Sequence, residues 1–355
     1  DIEGAALSDA SASAKAAAAG LDAGDGNDTL VNEGDLRDLE TYAKSNSDAV
    51  AVEIAGNVAI KGAATGDVKG QAVSDASSTA EAFTVGIDGG EGNDTITNRG
   101  DLELLKAKAE SDADTVAASV TVAVPIKGVS FVDVDGASLS NSSAAAEATA
   151  TGLEGGGGDD TIMSEGDLIK LEADSDAYSL AVSVTIAGTV GGDVKGLALS
   201  EASATAEATA AGISGGDGDD TLENRATIDA TSTSVSEANS VSADVSVQVA
   251  GGGDCTGAAL SDSSATSNAA ATGIKGGGGD DEIDNEGELV TLADADADSL
   301  AVSVAIGVAS NGVFGGELKS EVASDASSTA EATAGGITAG TGDDTLENLS
   351  LIHIS

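Results

Sequence analysis

The sequence predicts an all-β fold, a repetitive β-solenoid rod built from repeats of 60 to 66 residues, and three observations predict it. First, a glycine-aspartate phrase returns six times, typified by Gly89-Gly90-Glu91-Gly92-Asn93-Asp94-Thr95-Ile96. Its last aspartates are Asp28, Asp94, Asp160, Asp220, Asp281 and Asp344, at intervals of 66, 66, 60, 61 and 63 residues. A period this long means one structural unit copied along an axis. Second, the segments between phrases alternate with period two, which sends successive side chains to opposite faces of a strand. Third, aromatics make up 1% of the chain and proline occurs once, so the interior must be thin and made of small residues. Closely stacked sheets suit such an interior better than a globular core does.

The phrases divide the chain into a partial repeat (1–36), repeats at 37–102, 103–168, 169–228, 229–289 and 290–348, and a tail at 349–355. Within a repeat, a glycine turn leads into a short strand such as Thr95 to Leu102. An acidic alternating strand and a valine strand follow, then a Gly-rich turn such as Gly191 to Gly196, and an alanine strand returns to the next phrase. In Ala202 to Ala210 every even position is alanine and every odd one is Ser, Thr or Glu. Alanine is the best helix former, but unbroken alternation with β-hydroxyl residues and a following glycine favours a strand. Val182-Ser183-Val184-Thr185-Ile186 and Val302-Ser303-Val304-Ala305-Ile306 alternate with larger residues, and their aliphatic faces are expected to be buried. Coils of roughly 20 residues would place three coils in each repeat and extend the rod by about 14 Å per repeat. Two larger coils, or partial closure by hairpins, remain open alternatives.

Formal net charge is −48, with 62 acidic residues against 14 Lys and Arg. That balance opposes compaction unless cations neutralise it, and it makes nucleic acid an unsuitable partner. Cys255 is the single cysteine and has no disulfide partner. No signal peptide or membrane span is visible, and Asp1 falls in mid-repeat, so the chain is expected to be a piece of a longer one. Residues 349–355 break the pattern and read as a translated sequencing adapter, which would make His353 foreign to the natural protein.

The phrase Gly89 to Thr97 matches G-G-x-G-x-D-x-U-x at every specified position. It resembles the repeats-in-toxin (RTX) calcium-binding repeat of secreted bacterial proteins, in which glycine turns supply carbonyls, the aspartate coordinates calcium and the apolar residue starts a strand. The resemblance implies calcium ligation by Asp28, Asp94, Asp160, Asp220, Asp281 and Asp344, with Asn27, Asn93, Asp159, Asp219, Asp280 and Asp343 in the variable position before them. Glycines admit positive φ and bring carbonyls together, as a hard cation with six to eight oxygen ligands requires. The RTX pattern is usually tandem, whereas here one phrase stands in each repeat, so other turns must complete the ligand set or the phrase is only a turn with an aspartate cap. The wider wording is also similar to passenger and stalk regions of large bacterial surface proteins. A second acidic element follows each phrase at Asp112/Asp114, Asp174/Asp176 and Asp294/Asp296/Asp298. It is either a cation- or mineral-binding ridge or a solvated face that blocks lateral pairing.

An enzyme is not expected. Sugar-processing sites want aromatic platforms, and only Tyr42, Tyr178, Phe83, Phe131 and Phe314 are present. Cys255 lacks a base partner, and the repeats are monotonous where a catalytic site would break symmetry. The expected function is a structural or adhesive stalk or filament, as of an adhesin, extracellular or on the cell surface and stabilised by calcium. Cell-surface, mineral or ice ligands are further candidate partners, and subunits or further repeats are expected to add end to end because both ends lack capping sequences. An ice- or mineral-binding surface is the alternative, opposed by the interruption of Thr205 and Thr209 by Glu207. A non-catalytic repeat region of a secreted RTX protein is another.

Overall fold

In the computed structural model the chain is all-β, with 83% of it in strands and no helix among the described residues. The structure describes residues 2–59, 64–65, 67–125, 130–249, 253–309 and 317–355; Phe314 lies outside them. Among the described residues no helix is long and apolar enough to cross a membrane.

Three parallel six-stranded sheets run the length of the molecule. The alanine sheet contains Ile2–Asp22, Val68–Glu91, Val134–Gly157, Val194–Asp217, Cys255–Gly278 and Leu318–Thr341. The short sheet contains Thr29–Asn32, Thr95–Asn98, Thr161–Ser164, Thr221–Asn224, Glu282–Asn285 and Thr345–Asn348. The valine sheet contains Leu39–Ala59, Leu105–Pro125, Leu168–Thr189, Ile228–Gln248, Leu289–Ala309 and Ile352–Ile354. Each strand pairs in register with its equivalent one repeat away, as in Val68 with Val134 and then Val194.

One repeat is therefore one coil, not three. The acidic and valine segments form a single strand, as in Leu105–Pro125, and a 24-residue strand of the alanine sheet spans about 80 Å. Six coils at about 4.8 Å each advance the axis by only about 24 Å from first to last, so the molecule is a broad flat slab instead of a thin rod.

The two long sheets face each other. At the end closed by the short sheet, Ile87, Ile96, Leu102 and Leu105 of one coil pack above Leu153, Ile162, Leu168 and Leu171 of the next, in a continuous aliphatic core. Beyond that core the interior narrows to alanine, serine and threonine, until Val68, Val134 and Val194 fill the far end. Ala202, Ala204, Ala206, Ala208 and Ala210 all point inward, as their alternation predicts. Hydroxyls bond across the seam: Ser74 donates to the Ala49 carbonyl at 2.7 Å, Ser175 to Ala146 at 2.8 Å and Ser232 to Ala208 at 2.8 Å. These carbonyls use the second lone pair that a ladder bond leaves over. A group as short as a serine hydroxyl reaches the opposite backbone only if the sheets lie far closer than the ~10 Å usual for facing sheets.

That closeness corrects the expectation for the valine segments. Ser183 and Thr185 are buried, while Ile186 and its neighbours Val182 and Val184 face outward. Hydrogen bonding, not hydropathy, decides the phase: Thr185 has the shape of a valine, but its hydroxyl, like that of Ser183, donates to a carbonyl of the facing sheet, Leu197 and Leu199 respectively, which no aliphatic side chain can do. Ser175→Ala is expected to lose about 1 kcal/mol through its bond to Ala146, measured by urea unfolding; an unchanged midpoint would mean that the seam does not depend on these hydroxyls.

Two acids enter the seam. Glu53, Ser119, Thr185 and Asp244 share one inward column. A Cβ at Gly196 would stand 1.8 Å from Asp244 Oδ1, so the glycine opposite makes room for the carboxylate. Burial pushes Asp244 up to about 6 and raises Glu53 above its usual value.

Candidate functional site

Because one repeat is one coil, the glycine-aspartate phrases stack directly on one another. The tandem arrangement missing along the sequence is thus supplied in space. The second and fourth residues of each phrase carry positive φ, from +85° at Gly24 to +143° at Gly342. A Cβ at Gly216 would lie 1.9 Å from the Gly156 carbonyl oxygen of the preceding coil. Glycine is required there both by the backbone conformation and by the contact between turns.

The period-two alternation separates the twelve candidate ligands into two ladders. Asp94, Asp160, Asp220 and Asp281 are buried. Through them the backbone N–H of each aspartate donates to Oδ1 of its equivalent one coil later, from Asp28 to Asp94 (2.7 Å), Asp160 (2.7 Å), Asp220 (2.8 Å), Asp281 (3.0 Å) and Asp344 (3.0 Å). The residues just before them form an outer, exposed ladder of opposite polarity. Asn93 N–H donates back to Asn27 Oδ1 at 3.0 Å, and Asp159, Asp219, Asp280 and Asp343 continue it at 2.8 to 3.2 Å. Each accepting side-chain oxygen therefore caps a backbone amide in a turn where sheet pairing is interrupted.

The inner ladder leaves one oxygen over in four of the six coils. Oδ2 of Asp94, Asp160, Asp220 and Asp281 is buried and has no hydrogen-bond partner. In the last three it lies 2.3 to 2.5 Å from where a Cβ on Gly155, Gly215 or Gly276 would be, so the first glycine of the phrase provides its space. Burial pushes Asp160 up to about 6 and Asp220 up to about 7, and also raises Asp281; neighbouring acids in the stack add to each. A proton or a cation would relieve such a carboxylate.

On the outer side of the same turns lies an acidic groove of about 620 Å³, lined by Asp25, Asp88, Glu91, Glu154 and Asp217 together with turn glycines. Burial raises Asp88, with Asp22 and Asp94 adding to it; burial raises Glu154, with Asp88 adding. These acids escape sequence reading because Asp88 and Glu154 stand just before the first glycine of the phrase, outside its consensus positions. The available signal was their equivalence in register, Asp22, Asp88 and Glu154 forming one column. Among the described residues no group of three or more acidic, histidine or cysteine side chains converges as a metal cluster, so cation binding here would draw on backbone carbonyls as well.

The second acidic element is brought to one outward face of the valine sheet but not to a point. Asp174 and Asp176 are met by Lys108 of the preceding coil at 3.4 and 3.1 Å, while Asp294, Asp296 and Asp298 stand exposed. Thr205 and Thr209 share the outer face of the alanine sheet, with Glu207 between them. At the tail, Ile352 pairs with Leu289 and packs against the aliphatic core. No protein-family model, curated protein or solved structure matches the chain.

Proposed function

We propose that this chain is a non-catalytic, structural or adhesive segment of an extracellular bacterial stalk or filament, with calcium held at its stacked glycine-aspartate turns. The observation that carries the reading is the uninterrupted inner ladder. It repeats one buried carboxylate with one unpartnered oxygen on the four coils of Asp94, Asp160, Asp220 and Asp281, beside glycine turns and an acidic groove. Asp28, Asp94, Asp160, Asp220, Asp281 and Asp344 would supply carboxylate oxygens there, the turn glycines would supply carbonyls, and the ion would supply the positive charge that a chain of −48 needs. The acids recur as columns, so each coil offers the same groups and none stands out as a reacting centre.

Assembly is proposed to proceed end to end, by longer chains or by identical subunits. Ile2–Asp22 and Leu318–Thr341 are the outer strands of the alanine sheet, each paired on one side only. The resemblance to RTX repeats supports the same calcium chemistry and a secreted or surface location.

The test is a thermal melt in chelator, then with calcium and with magnesium. Calcium is expected to raise the melting temperature with a midpoint near 10⁻⁴–10⁻³ M, an order of magnitude for extracellular modules, and magnesium to do less. Identical melts in calcium and chelator would leave the phrase as a turn and cap alone.

A further inference from the structure

The outer face of the valine sheet divides into two halves of opposite character. The half nearer the short sheet carries the charged residues described above. Among the described residues the other half carries none. Four outward columns begin at Val50, Val52, Ile54 and Gly56 and run through five coils, holding only valine, isoleucine, alanine and glycine. In a chain with 62 acidic residues, a wide surface free of charge is the depletion that marks the centre of an interface. The face is open to solvent, with Ile54 78% and Ile306 48% exposed.

We propose that this half-face pairs with the same half-face of a second copy of the chain, sheet against sheet. Its extent fits. Four columns about 6.7 Å apart and five coils about 4.8 Å apart cover roughly 640 Å² on each copy, or about 1,300 Å² in all, within the range of specific interfaces. Its relief fits a two-fold contact as well. Gly56 and Gly188 leave the sheet bare beside Val122 and Val247, and a cleft of about 280 Å³ opens around Gly188, next to the projecting Ile186. A surface that bears both a ridge and a notch can match its own copy after a two-fold rotation.

Charge selects the arrangement. If the two-fold axis ran along the strands, the acidic half of each copy would lie over the acidic half of the other. With the axis parallel to the solenoid axis, the strands of the two copies run in opposite directions and the acidic halves diverge to opposite sides. The pair is then held by apolar contact and opposed only by the long-range repulsion of two chains of −48.

Sedimentation velocity over a range of concentrations in chelator, at low and at high salt, tests this separately from calcium binding and from growth at the ends. A closed dimer is expected, favoured by high salt. Ile186→Glu is expected to shift it at least tenfold toward monomer, and Ile306→Glu, in another coil, does the same if the first variant is poorly folded by circular dichroism. Ser203→Glu adds the same charge to the outer face of the alanine sheet and is expected to leave the dimer intact. A chain that stays monomeric at high salt, or association that both glutamate variants leave unchanged, overturns the proposal. So does a monomer that floats with phosphatidylcholine vesicles and loses that flotation in Ile186→Glu, since the face then takes a lipid surface instead of a second copy.

Discussion

Gly216→Ala is expected to lower unfolding stability by about 2–5 kcal/mol, the sum of a positive-φ penalty of about 1–2 and an overpacking penalty of about 1–3. Gly216 has φ +114°, and an added Cβ would stand 1.9 Å from the Gly156 carbonyl oxygen. That oxygen belongs to backbone held between two neighbouring coils, so it cannot turn aside as a flexible side chain would. In a stack whose stability is a sum of neighbour contacts, a defect at one interface also uncouples the coils on either side. Denaturation is therefore expected to broaden or to split into two steps. Gly157→Ala, in the phrase one coil earlier, is the control. Its φ is not positive, and its Cβ would meet only the flexible end of Glu91 at 3.0 Å. That variant is expected to stay within about 0.5–1 kcal/mol of wild type. Equal midpoints for the two variants in guanidinium unfolding would mean that the turns do not stack as described.

The contrast between Gly216 and Gly157 also shows where the sequence is legible. Both lie in recurring phrases, and recurrence alone identifies the turn, the strand that follows it and the all-β class. Alternation in Ala202 to Ala210 likewise identifies a strand and its buried face. The number of coils was not legible, because a period of 60 to 66 residues divides as readily into three ordinary strands-and-turns units as into one large one. Strands of 21 to 24 residues lie far beyond the usual 3–10, so prior expectation argued for breaks inside Leu105–Pro125 that the chain does not make. The unbroken alternation was the evidence against such breaks.

The phase of the valine segments failed for a different reason. Alternation fixes two faces but not which of them is inside, and a one-residue slip exchanges the two. Hydropathy assigns Val182 and Val184 to the core. The structure assigns that place to Ser183 and Thr185, because hydroxyls from one long sheet bond to carbonyls of the other, a bond that valine, though of the same shape as threonine, cannot make. A composition rich in serine and alanine is the sign of such a seam only when the facing strand is known to be just as small.

The candidate site was legible residue by residue but not in its division. Asp159 and Asp160 stand side by side in the sequence and look like two ligands of one ion. On a backbone of period two they part, Asp160 into the turn and Asp159 onto the surface. The groove acids Asp88 and Glu154 become visible only when coils are set in register.

Chelated protein is expected to lose stability as pH rises from about 5 to 8, and Asp220→Asn is expected to flatten that loss. Asp220 has an ordinary value of 3.8 and is pushed up to about 7 by burial in the stacked turn, with Asp160 and Asp281 adding to it. Between those two values the folded chain holds a proton that the unfolded chain has released. The contribution is fully present below about 4 and is lost as pH passes through 7. At about 1.4 kcal/mol per unit, the effect of this one residue is up to about 4 kcal/mol. Asp160 and Asp244, each pushed up to about 6, slope the same way, so the single substitution reduces the pH dependence without abolishing it. Asparagine keeps the Oδ1 that accepts the Asp160 amide at 2.8 Å and removes the buried charge. Its new amide donor meets the same empty surroundings as Oδ2 did, which costs about 1–3 kcal/mol, so the net gain in chelator at pH 8 is expected to be about 1–3 kcal/mol. Calcium should reverse the order. A bound cation lets the wild-type carboxylate remain ionised, and wild type should gain more from calcium at pH 8 than Asp220→Asn does. Urea unfolding of both proteins at pH 5 and pH 8, with chelator and with calcium, gives all four comparisons. A flat wild-type profile in chelator, with the variant less stable throughout, would show that groups at the turn already hold Asp220 ionised, and the buried-acid account of the glycine-aspartate phrase would fall with it.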